Sequence, residues 1–313
     1  MKKIFLILLF AISYQLSAIS CQQSVVDSLS QQSESTVSVN GQSQSQHCES
    51  LLSKSYLKSY WNSGLTVLAQ PVHYDWKDWT AFAGVAAVTT LAFVYDDEIY
   101  NFIDGTFADN RWNTASQCTD VFGEEYFILP SVALTYAISA INKDCRLRNM
   151  SLAALQSFVY AEVASAGLKV LTCRMRPLEV NGQQSTANSQ QSTVNSQQST
   201  VNSQTWLGSF KSFESTSFPS GHAMRSFALA ATVAGFYPEK KWVGIVSYSL
   251  ATVTSVGRVI SKEHWASDVI VGAAIGYFIG RGVVKFNEKI GNISSVEIQP
   301  IATNYGVGVL VNF

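Results

Sequence analysis

Apolar residues along the chain gather into six segments: Trp79 to Tyr95, Phe127 to Ile141, Leu152 to Leu171, His222 to Phe236, Trp242 to Ile260 and Trp265 to Val284. Most are Ala-rich, and each holds a stretch of more than ten residues without proline, which favours helix over the shorter span of a buried strand. The pattern predicts an all-α fold, a helical bundle of about six core helices. The end of the chain breaks the pattern. From Tyr305 to Phe313 apolar residues alternate, with Tyr305, Val307, Val309, Val311 and Phe313 on one side, and a run from Val296 to Ile301 offers a partner. A short C-terminal β-hairpin is expected there. Strands ending in Phe also close outer-membrane barrels, but two strands cannot form one.

Two stretches lack any period. Residues 21–55 are dominated by Ser, Gln and Val and read as a flexible tether, because they bury too little apolar surface to offset their ordering entropy. Residues 181–204 repeat NGQQSTA, NSQQSTV and NSQQSTV and read as a disordered polar insertion, far shorter in period than a solenoid repeat. The first residues, MKKIFLILLFAISYQLSAISC, combine two lysines, an apolar run and small residues before Cys21, the layout of a bacterial secretory signal. The chain therefore divides into a signal peptide (1–20), a tether (21–55), a helical domain (56–290) that carries the insertion, and a β-like tail (291–313). Ala18-Ile19-Ser20-Cys21 also resembles a lipobox, which makes Cys21 a lipidation candidate, with ordinary cleavage after Ser20 as the alternative. If Cys21 carries lipid, Cys48, Cys118, Cys145 and Cys173 remain as an even set able to form up to two disulfides in an oxidising compartment.

A formal net charge of -1 excludes a broad basic surface, so nucleic acid is not an expected partner. Any anion site must be local, and three clusters could build one. In LKVLTCRMRP, Lys169 and Arg176 stand seven residues apart, nearly two helical turns along one face, so both cations can reach one anion. In Phe218-Pro219-Ser220-Gly221-His222, the backbone amides open a helix where unpaired N–H groups stabilise anions, and Gly221 permits close approach. In the third, Arg258 precedes His264 by six residues and Asp268 follows four later. That spacing lets the carboxylate accept a hydrogen bond from one ring nitrogen and leaves the other as an acceptor able to attack phosphorus. Each cluster alone is also compatible with an ordinary helix end or polar pair. Together they gain weight, because in an up-and-down bundle the four helix ends that carry them face the same way.

Lys169-x6-Arg176-Pro177, Pro219-Ser220-Gly221-His222 and Arg258-x5-His264-x3-Asp268 resemble the three-part signature of the type 2 phosphatidic acid phosphatase superfamily, over roughly Leu152 to Val284. That family includes acid phosphatases, lipid phosphate and polyprenyl diphosphate phosphatases, and vanadium haloperoxidases. The resemblance implies a metal-independent phosphatase without a cofactor, acting on a phosphomonoester or lipid (di)phosphate. It implies His264 as nucleophile through a phosphohistidine, Asp268 as its orienting carboxylate and His222 as general acid. Lys169, Arg176, Arg258 and the amides near Ser220 and Gly221 would hold the phosphoryl oxygens. Gly257 departs from the pattern by replacing a serine before Arg258, and the polar repeat separates Pro177 from Pro219. An outward loop is tolerated, since each doubling of loop length costs only about 0.6 kcal/mol.

The expected partners are thus a phosphorylated small molecule or lipid, and a membrane reached through a lipid anchor or through apolar helices. Glu162, Arg225 and Asp268 would each cost about 2.5 to 3.5 kcal/mol at the centre of a bilayer, and several segments fall short of the ~20 residues needed to span. The composition therefore leads to an exported, periplasmic bundle anchored at a membrane through Cys21, with integral insertion as the alternative. Competing functions are a vanadium-dependent haloperoxidase, or a non-catalytic envelope tether.

Overall fold

The computed structural model describes residues 51, 53–107, 109–177, 216–294, 297–303 and 306–312. The stretches read as a secretory signal and as a polar insertion (181–204), Cys21 and nearly all of the expected tether lie outside the described residues. Within them stand nine α-helices: α1 (Lys54–Ala69), α2 (Trp76–Val94), α3 (Asp96–Thr106), α4 (Asn110–Asp120), α5 (Glu125–Asn142), α6 (Cys145–Thr172), α7 (Gly221–Phe236), α8 (Lys241–Ile260) and α9 (Ala266–Ser294). Each of the six apolar segments coincides with a helix, and α1, α3 and α4 are additional. α1 begins inside the stretch read as tether, with the Ser53 hydroxyl accepting the Tyr56 N–H. α3 and α4 were missed because they are short and polar on average: DDEIYNFIDGT and NRWNTASQCTD hold no apolar run of helical length. Glu297–Thr303 and Gly306–Asn312 form β1 and β2, paired antiparallel with Glu297 opposite Asn312 and Thr303 opposite Gly306.

The packing that positions everything else is between α7 and α9. Gly272, Gly276 and Gly280 recur every four residues and so share one face of α9. A Cβ on each would come closer than 3.0 Å to the carbonyl oxygens of Ser220, Met224 and Ala228, a matching row on α7. Only glycine allows this approach of two backbones, the packing that small-xxx-small ridges permit. Beside the seam, Ala161 of α6, Met224 and Ala228 of α7 and Ile279 of α9 make a fully packed cluster that Val67 of α1 also joins. Because α7 and α9 run side by side from their N-termini, the segments that precede them, 216–220 and 261–265, are brought together.

Much apolar surface remains outside. Trp61, Leu68, Val72, Trp76, Leu91, Val94, Ile141, Leu171, Ile245 and Val253 are all exposed, Val72 at 82% and Ile141 at 80%. α8, and α9 as far as Glu288, are long and apolar enough to cross a bilayer, and α2 with α3, bent by 65° at their junction, make a third candidate span. Two of the three charges counted against insertion do not face outward, and the third is paired: Asp268 is fully buried, Arg225 is 7% exposed, and the part-exposed Glu162 is ion-paired to Arg225, as is Glu125. Their cost in lipid therefore does not arise, since ionisable groups inside a bundle pair with one another. Among the described residues, the exposed apolar helix faces suggest association with a membrane.

Cys145 is disulfide-bonded, to a partner outside the described residues, whereas Cys118 and Cys173 are free.

Gly276→Val should drive a side chain into the Met224 carbonyl and destabilise the bundle by about 1–3 kcal/mol or more. Thermal denaturation of the detergent-solubilised protein would read this as a clear fall in Tm, and an unchanged Tm would mean that the α7–α9 seam is not closed.

Candidate active site

α6 stops because Cys173 takes a left-handed conformation, φ 47° and ψ 33°, and its N–H returns to the Lys169 carbonyl. Beyond it the chain is extended, with Met175 bridged to Thr216. Lys169 and Arg176 therefore do not share a helix face, contrary to their sequence spacing; Lys169 sits on the last turn of α6 and Arg176 past its end. Both still reach the same place, because the 173–177 segment is folded back against 216–220. The Ser217 N–H donates to the Arg174 carbonyl at 2.7 Å, and the Thr172 hydroxyl to the Phe218 carbonyl at 3.0 Å.

Arg174, not singled out by sequence, ties the clusters together. It is fully buried, and its guanidinium pairs with Asp96 of α3 at 2.8 Å and with Asp268 of α9. It also donates to the Ser267 hydroxyl at 2.8 Å and lies over the rings of Phe93 and Trp265. Asp96 in turn accepts the Ser267 N–H at 3.1 Å. A buried cation shared by two buried carboxylates is tolerable only when satisfied on all sides, and removing one partner of such a group costs about 3–5 kcal/mol.

His264 is 2% exposed. Its Nδ1 lies 2.8 Å from the Ser217 carbonyl oxygen, which can only accept, so Nδ1 carries the proton and Nε2 the lone pair. Asp268 is 3.9 Å from Nδ1, too far for the direct hydrogen bond expected from the spacing. The carboxylate is occupied otherwise. It accepts from the Trp265 N–H at 3.0 Å, the reach-back of a capping box at the start of α9, and from the Ser217 hydroxyl and Arg174. Asp268 and His264 thus share Ser217, which gives its hydroxyl proton to the carboxylate and its carbonyl oxygen to the imidazole. Burial first, then the charges of Arg258, Arg176, Lys169 and His222, hold the pKa of His264 well below its usual value and keep the ring neutral.

At the start of α7, the Ser220 hydroxyl caps the helix by accepting the Ala223 N–H. Gly221 stands close to Ser165, whose hydroxyl would lie 3.1 Å from an added Cβ. His222 Nε2 is 2.9 Å from the Glu124 carboxylate, and its Nδ1 is 3.5 Å from an Arg225 nitrogen. Burial pushes the His222 pKa down to about 4, against the opposing pull of Glu124. The hydrogen bond from His222 holds Glu124 below the usual carboxylate range, so the pair is a neutral imidazole donating to an ionised carboxylate. Glu124 follows a turn, Val121–Gly123, that lies directly on the histidine: a Cβ at Gly123 would meet the His222 ring closer than 3.0 Å.

Three cations converge on the same space. Arg258 at the end of α8 pairs with Asp120 at 2.8 Å, and Arg176 pairs with Glu263. Lys169 makes no ion pair with any described residue, and its pKa is lowered to about 8, by burial first and then by Arg176 and Arg225. The departure at Gly257 has a steric counterpart. A Cβ there would strike the Thr119 hydroxyl of α4, so the absence of a side chain lets α4 close on α8 and deliver Asp120 to Arg258. The acidic turn that brings Asp120 and Glu124 was missed by sequence reading, and so were Arg225, Asp96 and Ser217. The only signal for it was DVFGEE, a compact set of acids around a glycine, between α4 and α5.

All eight residues singled out by the three clusters, Lys169, Arg176, Ser220, Gly221, His222, Arg258, His264 and Asp268, lie in this one region. Residues 151–291 match the family model of the PAP2 superfamily. Over 67 residues the chain is 37% identical to the lipid A 1-phosphatase of Porphyromonas gingivalis, covering 21% of this chain and 15% of that protein. Over 84 residues it is 32% identical to phosphatidylglycerophosphatase B of Bacillus subtilis, covering 24% of this chain and 41% of that protein. The matched stretches thus span less than half of either curated relative. Among solved structures, a transmembrane PAP2 type phosphatidylglycerolphosphate phosphatase from Bacillus subtilis superposes with a TM-score of 0.46 at 20% identity, over 75% of this chain and 96% of that one. LpxE of Aquifex aeolicus gives a TM-score of 0.40 at 18% identity, over 60% and 93%. The family model is matched from within α6 to within α9, a span that holds all three motifs, and over that stretch the chain is similar to the PAP2 superfamily.

Proposed function

We propose that the protein is a membrane-bound phosphatase that removes a terminal phosphate from a lipid through a phosphohistidine on His264. The observation that carries this reading is His264 itself: a buried, neutral imidazole with Nδ1 engaged by the Ser217 carbonyl and Nε2 without a partner among the described residues, in the field of Lys169, Arg176 and Arg258. An uncharged nucleophile among cations suits an anionic electrophile, and the same cations stabilise charge that develops on its oxygens.

In the first step the Nε2 lone pair attacks phosphorus, the bond from phosphorus to the leaving oxygen breaks, and protonated His222 gives that oxygen its proton. In the second, water attacks phosphorus, neutral His222 takes the water's proton, the P–N bond breaks, and phosphate leaves with His264 restored. Neither step calls on a metal ion. Lys169, Arg176 and Arg258, with the amides that open α7, hold the phosphoryl oxygens throughout. Asp268 and Ser217 keep the tautomer of His264.

Exposed apolar helices and relatives named as lipid phosphatases support a lipid as the leaving group. In this reading α8, α9 and the bent α2–α3 pair cross the bilayer. The basic and apolar start of the chain favours the cell envelope, with lipidated Cys21 as a second attachment.

Purified protein should release phosphate from phosphatidate, phosphatidylglycerophosphate or a lipid A 1-phosphate in the presence of chelator, and be inhibited by vanadate. His264→Ala should lower the rate by at least about a thousandfold, and substantial turnover by that variant would refute the mechanism.

The pH dependence has a defined sign. His264, held well below its usual pKa, stays neutral as the medium is acidified, whereas His222 gains its proton only as pH falls towards about 4. Activity should therefore rise on the acid side of neutrality. The Glu124 carboxylate favours the charged form of His222, so Glu124→Gln should move the limb that reports His222 protonation to lower pH. A pH–rate profile of kcat/KM with that limb unmoved or displaced upward would contradict the assignment.

A further inference from the structure

Glu263, immediately before His264, sits where a substrate oxygen would be held. The loop that carries it is fixed at its backbone. The Ser261 N–H donates to the Gly257 carbonyl at 2.9 Å, the Lys262 N–H to Val259 at 3.0 Å, and the Glu263 and His264 N–H groups to Arg258 at 3.2 and 3.3 Å. Lys262 takes a left-handed φ of 61°, and its ammonium pairs with Asp104 of α3 and lies over the Tyr100 ring. With Lys262 held outward, Glu263 turns towards the cations. Its Oε2 contacts Arg176 Nη1 and lies 3.7 Å from Arg258 Nη2, so one carboxylate oxygen bridges the two guanidiniums assigned to the phosphoryl group.

Arg258 has a second carboxylate, Asp120, on its other terminal nitrogen, and keeps that support if Glu263 leaves. The Glu263 side chain is one-third exposed, whereas that of Asp120 is half as open, so Glu263 is the member of the set with room to swing out. Fork-shaped guanidiniums take carboxylate and phosphate oxygens in the same geometry, so the two anions compete for one seat.

We infer that Glu263 is a resident competitor in the phosphoryl seat, displaced by substrate, and that it narrows the substrate to groups with a terminal, doubly charged phosphoryl. This rests on the phosphatase reading above. A diester brings a single negative charge, no more than the carboxylate it must displace. Above its second pKa, about 6, a terminal phosphoryl brings two charges, and at any pH it brings three free oxygens, enough to engage both arginines and also Lys169, which has no ion pair among the described residues. Glu263 thereby acts as a specificity-determining residue, and discriminates through the charge of the phosphoryl group rather than the shape of the lipid.

The test is calorimetric binding to the full-length protein in detergent, comparing wild type, Glu263→Gln and Glu263→Asp. Inorganic phosphate, methyl phosphate and dimethyl phosphate are the probes. Glu263→Gln should bind phosphate about tenfold more tightly, the effect of freeing a charged hydrogen-bonding partner, and its preference for methyl over dimethyl phosphate should narrow. Glu263→Asp, which keeps the charge, should retain the wild-type preference and shows whether the loop tolerates change. Equal binding by wild type and Glu263→Gln would mean that Glu263 does not hold the seat, and weaker binding by Glu263→Gln that it supports the arginines; either overturns the proposal. Failure of every form, wild type included, to bind phosphate would instead overturn the phosphatase reading, and this inference with it.

Discussion

Where α9 lies against α7, backbone meets backbone. Gly272, Gly276 and Gly280 face the carbonyls of Ser220, Met224 and Ala228 with no room for a Cβ between them. The register of this contact fixes the heights of the two helix N-termini, and with them the distance from the amides that follow Ser220 to the loop that holds His264. A shift of one turn, 5.4 Å, would separate the Ser220 N–H from the Asp268 carbonyl, which now lies 3.0 Å away. α6 and α8 then close the sides and bring Lys169 and Arg258 to the same level.

On that frame the buried charges are arranged by desolvation as much as by attraction. Arg174 cannot be hydrated, so Asp96, Asp268 and Ser267 satisfy it, and this network joins α3, the 173–177 segment and α9 into one wall. His264 rests on that wall through Ser217. Nearer the opening the balance changes. Arg176, Arg258 and His222 are each matched by a carboxylate that is at least partly exposed, Glu263, Asp120 and Glu124, whereas Lys169 forms no ion pair with any described residue. In the reading proposed above only Glu263 among these anions gives way to a phosphoryl group, while Asp120 and Glu124 stay as supports.

The helices and the chemistry-bearing residues were legible because they obey local rules: apolar runs of helical length, a Ser-Gly pair opening a helix, cations and a histidine at helix ends. What was not legible depends on contacts distant in sequence. Lys169 and Arg176 looked like one helix face, but the left-handed turn at Cys173, an uncommon place for a residue with a side chain, ends the helix between them. Asp268 looked like a direct partner of His264, but cap formation at Trp265 draws it away. Glu124 and Asp120 lie on a short polar element that no period reveals, and they reach the site only because Gly123 and Gly257 leave space. Burial of Arg225 and Asp268, and the pairing of Glu162 with Arg225, depend likewise on packing, and so composition alone overstated the cost of a membrane.

The central claim is that phosphorus is transferred to a nitrogen of His264 before it reaches water. It is tested most directly by mixing the enzyme with a 32P-labelled lipid phosphate, quenching within the first turnover and mapping the label. The account predicts an acid-labile, alkali-stable label on the peptide that contains His264, formed at the rate of substrate loss and absent from His264→Ala. Substrate consumed at full rate with no label on that peptide, or with label on another residue, would contradict it.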